Sequence, residues 1–590
     1  MLSYRKLAMR VLGHPLHTGG IDSPRPASQR AAAFVLTAAM LITLAAPAFA
    51  GTWYIENGDI TVKAGETKGT NKVSQGANQE VEDTNTIITN ENKDTASSNT
   101  VTIETNDKND KVEVTLKDVN IDTSSRNNAA VSVTGSGNTT IKLDGDNALK
   151  SDTYRSGIYG SGSLTISGGE NDSLTAQGGS GADGIYGSGS LTISGGTVTA
   201  NGDDGGRGIS SRGGVTISGG STVTANGGNG TISGGDGICS SGGVTISGGS
   251  TVTANGGNGG SIGGGSGIYS NGSVTISGGT VTANGGKGGS GYGGDGIRSL
   301  DHVAISGGTV TANGGNSTNS SGGYGIISLD VAISSGTVTA NGGDSKDGYG
   351  GDGIHSNDVT ISGGTVNAAG GYGGKVGGYG ICSFDRVAIS GGTVEAAGGN
   401  GSTGGGSGIY SSVIDLSGSL ELTAKAGSPT GKALLQNGRE LNLDTIKDKL
   451  GPGAKVTTTD ANGETKQVST PRPVEPEESS SSSDGGSAAP SAPASPLPGL
   501  TVTDKDGQRI SYTSTQSGNT LTVCVGRFTA SFRISLAALR QLRAEGIETI
   551  TFQTILCSTT LSVDELLAMG GEDAEAVLTH RLTDSSLTVG

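Results

Sequence analysis

The stretch GICSSGGVTISGGSTVTANGG, residues 237–257, recurs along the chain and decides its fold. A Gly-Ile pair opens every copy, and within each copy Val, Ile and Ala alternate with Thr and Ser, which is typical of strands with one buried face. The marker isoleucines follow one another at intervals of 24 to 30 residues: Ile158, Ile185, Ile209, Ile238, Ile268, Ile297, Ile326, Ile354, Ile381 and Ile409.

Three short strands and three corners per copy make one turn of a solenoid. Glycine pairs and Asn-Gly steps separate the strands, and we interpret both as corners that need positive φ. Stacked turns bury a narrow column of Ile and Val that one turn cannot bury alone. The sequence therefore predicts an all-β fold, a right-handed parallel β-helix of about ten regular coils over residues 156–427. Lengths vary just before each marker, as at 285–294, so this corner carries the loops.

The remaining segments have other compositions. Residues 1–50 combine a basic flank, an apolar run and a small-residue cleavage site after Ala50, which predicts an export signal; a membrane anchor is the alternative. The other predicted segments are an N-terminal cap with irregular coils at 51–155, a C-terminal cap at 428–469, a Pro/Ser-rich disordered linker at 470–499 and a small α/β domain at 500–590.

Composition and charge exclude several classes of protein. With 110 glycines among 590 residues and 3% aromatics, the chain cannot fill a conventional wide core. A formal net charge of −16 argues against nucleic acid as a partner. No second apolar stretch of spanning length follows the signal, so we expect no membrane span after its cleavage.

Four cysteines are too few for a disulfide scaffold. Cys239 and Cys382 take the same coil position five turns apart, about 24 Å, and are therefore predicted to be unpaired. For Cys524 and Cys557, in predicted strands of the C-terminal domain, a disulfide and two buried thiols both remain open.

Several segments resemble a known family. Residues 116–121 (LKDVNI), 129–131 (AAV) and 140–143 (TIKL) are similar to the opening of the bacterial carbohydrate-binding β-helix proteins, and the repeated Asp-Gly-Ile and Thr-Ile-Ser-Gly-Gly-Thr-Val units look like the coils of that family. The resemblance covers roughly residues 51–427. It implies secretion, a polysaccharide-lyase-like fold without a need for catalysis, binding of a plant cell-wall polysaccharide such as cellulose or pectin, and bound calcium.

Tyrosines gather around the markers. The residue after each marker faces outward, and this column includes four tyrosines, while five more lie in the loops before the markers. Rings spaced by the turn height suit stacking on successive sugars of an extended polysaccharide; the alternative is that they cover backbone and stiffen the loops. The candidate carbohydrate-binding residues are Tyr159, Tyr186, Tyr269, Tyr292, Tyr324, Tyr349, Tyr372, Tyr379 and Tyr410.

Four aspartates precede the markers of alternate coils by two residues, and they are the candidate calcium ligands: Asp183, Asp236, Asp295 and Asp352. They lie about 9.6 Å apart along the axis, so two of them cannot chelate one ion. The denser Asp-Asp-Gly-Ile pattern of the resembling family is missing. The alternative interpretation is that these are solvated carboxylates that cap glycine turns.

The sequence does not predict an enzyme. Basic residues are sparse in the coils, and the three histidines after the signal, His302, His355 and His580, show no zinc or nucleophile spacing. We therefore expect a secreted or cell-surface bacterial protein that binds a polysaccharide without cutting it. The alternative is an adhesive stalk that contacts a cell-surface partner through residues 500–590; a polysaccharide lyase is the third candidate.

Overall fold

The computed structural model describes residues 50–471, 499–504, 508–510, 512–517, 519–525, 529–554, 558–570, 574–580 and 585–589. The chain divides after Glu475 into two compact units, and each is described by itself. Apart from Ala50 the predicted export signal lies outside the described residues, and so does residue range 472–498 of the predicted linker. Within the described part, none of the helices has the length and apolar character needed to cross a membrane.

The first unit is a β-solenoid of about 15 turns. This confirms the predicted fold class and corrects the number of turns, because coils continue on both sides of the ten marked copies. Each regular turn has three strands, and these strands pair in parallel with the equivalent strands of the next turn. The right-handed sense of the coil stays a prediction.

The three faces of the solenoid are named here by their place in the turn. The marker face contains Ile60–Ala64, Val101–Thr105, Val131–Gly135, Ile158–Gly160, Ile185–Gly187, Ile209–Ser211, Ile238–Ser240, Ile268–Ser270, Ile297–Ser299, Ile326–Ile327, Ile409–Ser411 and Leu434–Gln436. The second face contains Thr52–Tyr54, Ile87–Thr89, Lys111–Lys117, Asn138–Asp144, Ser163–Ser167, Leu191–Ser194, Val215–Ser218, Val244–Ile246, Asp330–Ile333 and Val413–Leu416. The third, or threonine, face contains Asn120–Asp122, Asp146–Lys150, Ser173–Ser180, Thr197–Asp203, Thr222–Asn226, Thr251–Asn255, Thr337–Asn341, Thr365–Ala369, Thr393–Ala397, Glu421–Lys425 and Lys455–Thr459.

Some strands turn a corner or close an end. Ile354–Ile361 and Ile381–Ile389 run from the marker face onto the second face, and Val274–Asn284 and His302–Asn313 run from the second face onto the threonine face. The N-terminal end carries the antiparallel strands Asn71–Gln75 and Asn78–Asp83 and a 3-10 turn at Ile55–Asn57. The C-terminal end carries antiparallel Arg439–Glu440 and Thr465–Ser469 and 3-10 turns at Leu443–Thr445 and Lys447–Lys449.

The core is narrow and made of stacked aliphatic columns. The ten marker isoleucines are 0% exposed, and the inward residues of the other faces, such as Val274, Ile276, Val281 and Ala283 of one coil, are equally buried. Each coil therefore covers the apolar residues of the coil before it. A chain with few large apolar residues can build such a core because every turn contributes the same few side chains.

The outer side of the threonine face carries regular polar columns. Eight threonines are in register from Thr197 to Thr393, and a column of asparagines runs beside them. The Nδ2 atom of Asn226 donates to Oδ1 of Asn201 at 2.8 Å, and the same bond repeats at 2.8 to 2.9 Å through Asn255, Asn284, Asn313 and Asn341.

The Asn-Gly steps differ from the sequence interpretation. These asparagines end strands and form a side-chain ladder, and none of the six has a positive φ. The corner with positive φ is instead the one between the second and threonine faces, for example at Gly248 and Gly249. A parallel stack favours the ladder because each amide meets an identical amide one turn away.

The corner before each of the last seven markers carries an arm that leaves the core and returns to it within one turn. These glycine arms comprise residues 227–235, 256–265, 285–294, 314–323, 342–351, 370–378 and 398–406. They were predicted as loops of variable length, and the structure shows that they stack in parallel as well.

Glycine hydrogen bonds connect the outgoing and returning halves of the arms. The amide of Gly286 donates to the carbonyl of Gly265 at 2.8 Å, and the amide of Gly294 donates to the carbonyl of Gly286 at 2.9 Å. The pattern continues from arm to arm, so the outgoing and the returning segment of each arm both lie within the height of one turn. A Cβ at Gly286 would lie 1.9 Å from the carbonyl oxygen of Gly257. Glycine is therefore a steric requirement in the arms.

The second unit is the small domain predicted at the C-terminal end. One four-stranded sheet contains Leu500–Thr503, Ala530–Ser535, Glu575–His580 and Ser585–Val589, and the other contains Thr513–Ser517, Thr520–Cys524, Thr549–Gln553 and Ser558–Ser562. Helices Leu536–Ala544 and Val563–Ala568 begin at the capping residues Ser535 and Ser562. Cys524 is a free thiol, and Cys557 lies outside the described residues.

The glycine arms give a direct stability test. Gly286→Ala should lower the free energy of unfolding by about 2 kcal/mol or more, because its Cβ would overlap backbone that cannot rotate away. Gly278→Ala is the matched control, since a Cβ there meets nothing within 4 Å and the residue does not need a positive φ. Thermal unfolding of both variants checks this; equal midpoints would contradict the stacked arms.

Candidate functional site

The marker edge is formed by two outward columns: the residue after each marker and the residue two positions before it. Parallel pairing keeps each column in register from coil to coil. The columns also touch, because the residue two positions before one marker packs on the residue directly after the marker of the next coil. Tyr324 stacks on His355 with ring centroids 4.5 Å apart, and Tyr379 stacks on Tyr410 at 5.1 Å.

The four aspartates lie in this edge and cap the backbone of the following coil. One carboxylate oxygen of each accepts the amide N–H two residues before the next marker: Asp183 from Arg207 at 2.7 Å, Asp236 from Ser266 at 2.8 Å, Asp295 from Tyr324 at 2.8 Å and Asp352 from Tyr379 at 2.7 Å. The aspartates therefore cap backbone, but the capped amides belong to the next coil and not to glycine turns, and for Asp295 and Asp352 the expected solvation is wrong. Asp295 and Asp352 are each 6% exposed, because the neighbouring coils cover them.

The second carboxylate oxygen has a different partner in different coils. Asp236 meets the guanidinium of Arg207 at 3.4 Å, and Asp295 meets that of Arg298 at 3.2 Å. Asp352 lies 2.7 Å from Nδ1 of His355. Burial raises the pKa of Asp183, of Asp236 and of Asp295, and the capping hydrogen bonds and arginines oppose that rise.

These surroundings do not fit calcium. A calcium site needs six or more oxygen ligands at about 2.4 Å, whereas each aspartate is a single carboxylate with one oxygen committed to a backbone amide. At Asp236 and Asp295 the other oxygen meets a guanidinium, which would repel the ion. The calcium implied by the family resemblance therefore has no site at these four residues.

The nine candidate tyrosines do not form one line. Six of them belong to the marker edge: Tyr159, Tyr186, Tyr269, Tyr324, Tyr379 and Tyr410. The other three, Tyr292, Tyr349 and Tyr372, lie on the glycine arms, where their side chains are 65%, 52% and 45% exposed. The arms separate these groups because each arm leaves the core before the chain returns to the marker.

Two of the three arm tyrosines, Tyr349 and Tyr372, have contacts that fit the stiffening role. The Nζ atom of Lys375 lies 5.6 Å from the ring centroid of Tyr349, and the hydroxyl of Tyr372 lies 3.2 Å from Oγ of Ser402. In each pair the partner belongs to the arm of the next coil. These rings therefore connect neighbouring arms.

An open cleft lies at the N-terminal end of the marker edge. The rings of Tyr159 and Tyr186 stack at 5.4 Å between centroids in its wall. The cleft has a volume of about 570 Å3. Its polar lining includes Asn127, Asn128, Arg155 and Asp183, and a third ring, Tyr154, also lines it.

Sequence reasoning missed Tyr154, although it is 78% exposed and lies just before the first marker. It occupies a loop position comparable with those of the other loop tyrosines, and this position could have identified it from the sequence. Its φ of +60° places it in a tight turn, and its ring lies over Gly181, where a side chain would crowd it. Tyr154 therefore belongs with Tyr159 and Tyr186 as a cleft residue.

A second group of side chains was also missed. Asp352, His355 and Cys382 each place one ligand atom within 4.8 Å of the others, the one such group in the described part of the chain. The repeat predicts the column of each residue, but it does not predict their contact. Cys382 belongs to the coil after His355, so the contact forms only when the two coils stack. Cys239 and Cys382 are unpaired, as predicted.

The other two histidines are elsewhere. Nδ1 of His302 lies 3.0 Å from Oγ of Ser273 at an exposed corner. His580 is fully buried in the C-terminal unit, where its ring packs on Phe532 and Nε2 lies 2.9 Å from the hydroxyl oxygen of Thr559. Its burial lowers the pKa of the imidazole.

Comparison with known proteins supports the coil assignment. A family model described as a β-helix repeat matches residues 191–214, 274–297, 303–326, 331–358 and 359–381. No curated protein and no solved structure shows a significant match to the chain. The repeat match and the solenoid together support a β-helix family.

The buried aspartates predict a pH dependence. Because burial raises the pKa of Asp295 above the 3.8 of a free carboxyl, its contribution to stability is full below that value and is lost as the pH rises through the raised pKa. Asp295→Asn keeps an oxygen for the amide of Tyr324 and removes the charge. The free energy of unfolding of Asp295→Asn should therefore fall less than that of the natural chain as the pH rises from about 4 through the raised pKa of Asp295.

Urea unfolding at several pH values measures this difference. Asp295→Ala serves as the second variant, since it leaves the amide of Tyr324 without an acceptor; it should cost about 1–3 kcal/mol at low pH, where the natural carboxyl is protonated, and less as the pH rises. An identical pH dependence in the natural chain and in Asp295→Asn would show that this carboxyl does not contribute.

Proposed function

We propose that this protein is a secreted, non-catalytic carbohydrate-binding protein of bacterial origin that holds a polysaccharide in the cleft of Tyr154, Tyr159 and Tyr186. The observation that carries the proposal is the stacked pair Tyr159–Tyr186 in the wall of an open, polar cleft. Secretion rests on the composition of residues 1–50.

The cleft combines the two kinds of contact that a sugar needs. Aromatic rings pack against the C–H face of a pyranose, and amide, guanidinium and carboxylate groups bond its hydroxyls. The Nε atom of Arg155 donates to Oδ1 of Asn127 at 3.0 Å, which holds two polar groups of the lining in place. Asp183 is held by its bond to the amide of Arg207. Preorganised polar groups of this kind lower the cost of ordering on binding.

The register of the two tyrosines favours a bound polymer that runs along the solenoid axis. Tyr159 pairs directly with Tyr186, so the two rings succeed each other along the solenoid axis by about 4.8 Å. The next residues of the column, Ser210 and Cys239, are small and buried, and the aromatic wall ends there. The cleft therefore suits a short segment of chain at the start of the regular coils.

Charge narrows the class of polysaccharide. The chain has a formal net charge of −16, which repels a polyanion such as a pectin. A neutral glycan of the cellulose type meets no such penalty. Of the residues that line the cleft, Asp183 alone has a carboxyl group, and most glycosidases use two; we therefore propose binding without hydrolysis.

A surface stalk is the second candidate, and the stacked arms favour it. The asparagine ladder and the glycine hydrogen bonds connect successive regular coils, which suits a stiff spacer. In that case residues 500–590 would make the contact with a cell-surface partner, and the solenoid would show no affinity for glycans.

A glycan array probed with the mature chain distinguishes the two candidates. The natural chain should bind neutral β-linked polysaccharides, and the double variant Tyr159→Ala, Tyr186→Ala should bind them roughly tenfold or more weakly through loss of both rings. Tyr349→Ala is the matched control, because this exposed tyrosine belongs to an arm, and it should bind as the natural chain does.

Circular dichroism of each variant establishes that the solenoid is intact. Equal affinity of the double variant and the natural chain would place the glycan elsewhere than in the cleft. Absence of binding by the natural chain to every glycan would favour the stalk.

A further inference from the structure

We propose that Asp352, His355 and Cys382 form a binding site for one divalent transition-metal ion of the zinc type. This site is independent of the cleft proposed above, since it shares no residue with it. It also differs from the calcium that the family resemblance implies.

The three side chains converge from two successive coils. Asp352 lies two residues before its marker and His355 directly after it, and Cys382 pairs with His355 from the next coil. One ligand atom of each lies within 4.8 Å of the other two. In a tetrahedral zinc site with ligands at about 2.0–2.3 Å, neighbouring ligand atoms are about 3.3–3.8 Å apart. Small side-chain rotations therefore bring the three atoms to binding distance.

The surrounding residues hold two of the three groups. The amide of Tyr379 donates to Oδ1 of Asp352 at 2.7 Å, which leaves Oδ2 directed at the imidazole. Tyr324 stacks on the ring of His355, and Phe384 meets that ring edge-on at 5.2 Å between centroids. Asp352 and Cys382 are 6% and 3% exposed. A site that is held in this way before binding loses little entropy when the ion enters.

The donor set selects the type of metal. An imidazole nitrogen, a thiolate sulfur and one carboxylate oxygen suit zinc and its first-row neighbours, whereas calcium and magnesium prefer oxygen throughout. Three protein ligands leave the fourth tetrahedral position for a water molecule. The side chain of His355 is 17% exposed, which gives that position access to solvent.

Charge provides an independent argument. The other buried aspartate of this kind, Asp295, is paired with the permanent cation Arg298, and Asp236 is paired with Arg207. Asp352 has an imidazole and a thiol at the equivalent place. An imidazole, unlike a guanidinium, has a ring nitrogen that can bind a metal, so the partner of Asp352 permits a divalent ion where the arginines beside Asp236 and Asp295 exclude one.

Binding requires the thiol to lose its proton. Burial raises the pKa of Cys382, so the free site contains the S–H form. When the ion enters, the S–H bond breaks, the proton passes to solvent and sulfur donates its electron pair to the metal. No electron is transferred, and the ion keeps its oxidation state.

The chain contains its own control site. Cys239 occupies the same column as Cys382, but beside Asp236 it takes the place that His355 has beside Asp352, and the other neighbour of Asp236 is Arg207. The guanidinium cannot bind a metal and repels one. The variant Cys239→Ser therefore tests whether a buried thiol of this column is sufficient for metal binding without an imidazole beside it.

Cobalt(II) is the probe, because its thiolate and tetrahedral complexes are coloured whereas those of zinc are not. The mature chain, first dialysed against a chelator, should take up one Co2+ per chain with a thiolate charge-transfer band in the near ultraviolet and visible bands typical of tetrahedral geometry. Zinc should bleach the spectrum at one equivalent, and a large excess of calcium should not.

The variants separate a built site from casual binding. Cys382→Ser should abolish the charge-transfer band, and His355→Gln should weaken uptake tenfold or more. Cys239→Ser should retain the full spectrum. Asp352→Asn keeps an acceptor for the amide of Tyr379, so its loss of affinity reports the loss of the charged ligand oxygen and not a broken coil.

Circular dichroism and thermal unfolding confirm that each variant is folded. Three outcomes would overturn the proposal: no charge-transfer band in the natural chain, loss of the band in Cys239→Ser, or displacement of cobalt by calcium. Retention of the full band in a folded Cys382→Ser would overturn it equally.

Discussion

Parallel pairing in register between successive coils is the constraint on which the rest of this structure depends. Each residue lies about 4.8 Å from its equivalent in the next turn, so whatever stands at one position must tolerate a near copy of itself above and below. Isoleucine and valine satisfy this rule inside the coil, and threonine and asparagine satisfy it outside. The glycine arms follow from the same rule. An arm that leaves the core and returns within one turn height must fit two chain segments where one normally lies, and side chains are excluded from the crossing.

Charged groups satisfy the constraint by alternation. Two carboxylates stacked directly at one turn height would repel each other in a poorly solvated edge. The aspartates before the markers are instead placed on every second coil, and each one caps the amide of the coil between. The coils between have Arg207, Ser266, Tyr324 and Tyr379 at the equivalent position. The same arrangement explains why the edge is not a calcium ladder, since every carboxylate is isolated and already bonded.

The two proposed sites arise from small departures from this repeat. At the N-terminal end, tyrosines at the same position in two successive coils form a stacked pair beside an open cleft. Six turns further along the same edge, an imidazole and a thiol replace the arginine that neutralises the earlier aspartates. A solenoid suits such local variation because each coil contacts its immediate neighbours, and a substitution in one coil leaves distant coils unchanged. The two proposed sites can therefore be altered separately.

The sequence by itself determined the coil, its period and its core. These depend on alternation and glycine spacing within one copy, which are local, and the isoleucine after each glycine could be assigned to the interior without knowledge of any partner. The tertiary structure decided what the outer residues do. The asparagine ladder, the crossing glycines, the aspartate caps and the group of Asp352, His355 and Cys382 all bring together residues from neighbouring coils, which lie far apart in the chain; Asn255 and Asn284, for example, are 29 positions apart. Their contacts depend on the exact register of the stack and on the direction of each side chain, which a repeat pattern does not specify.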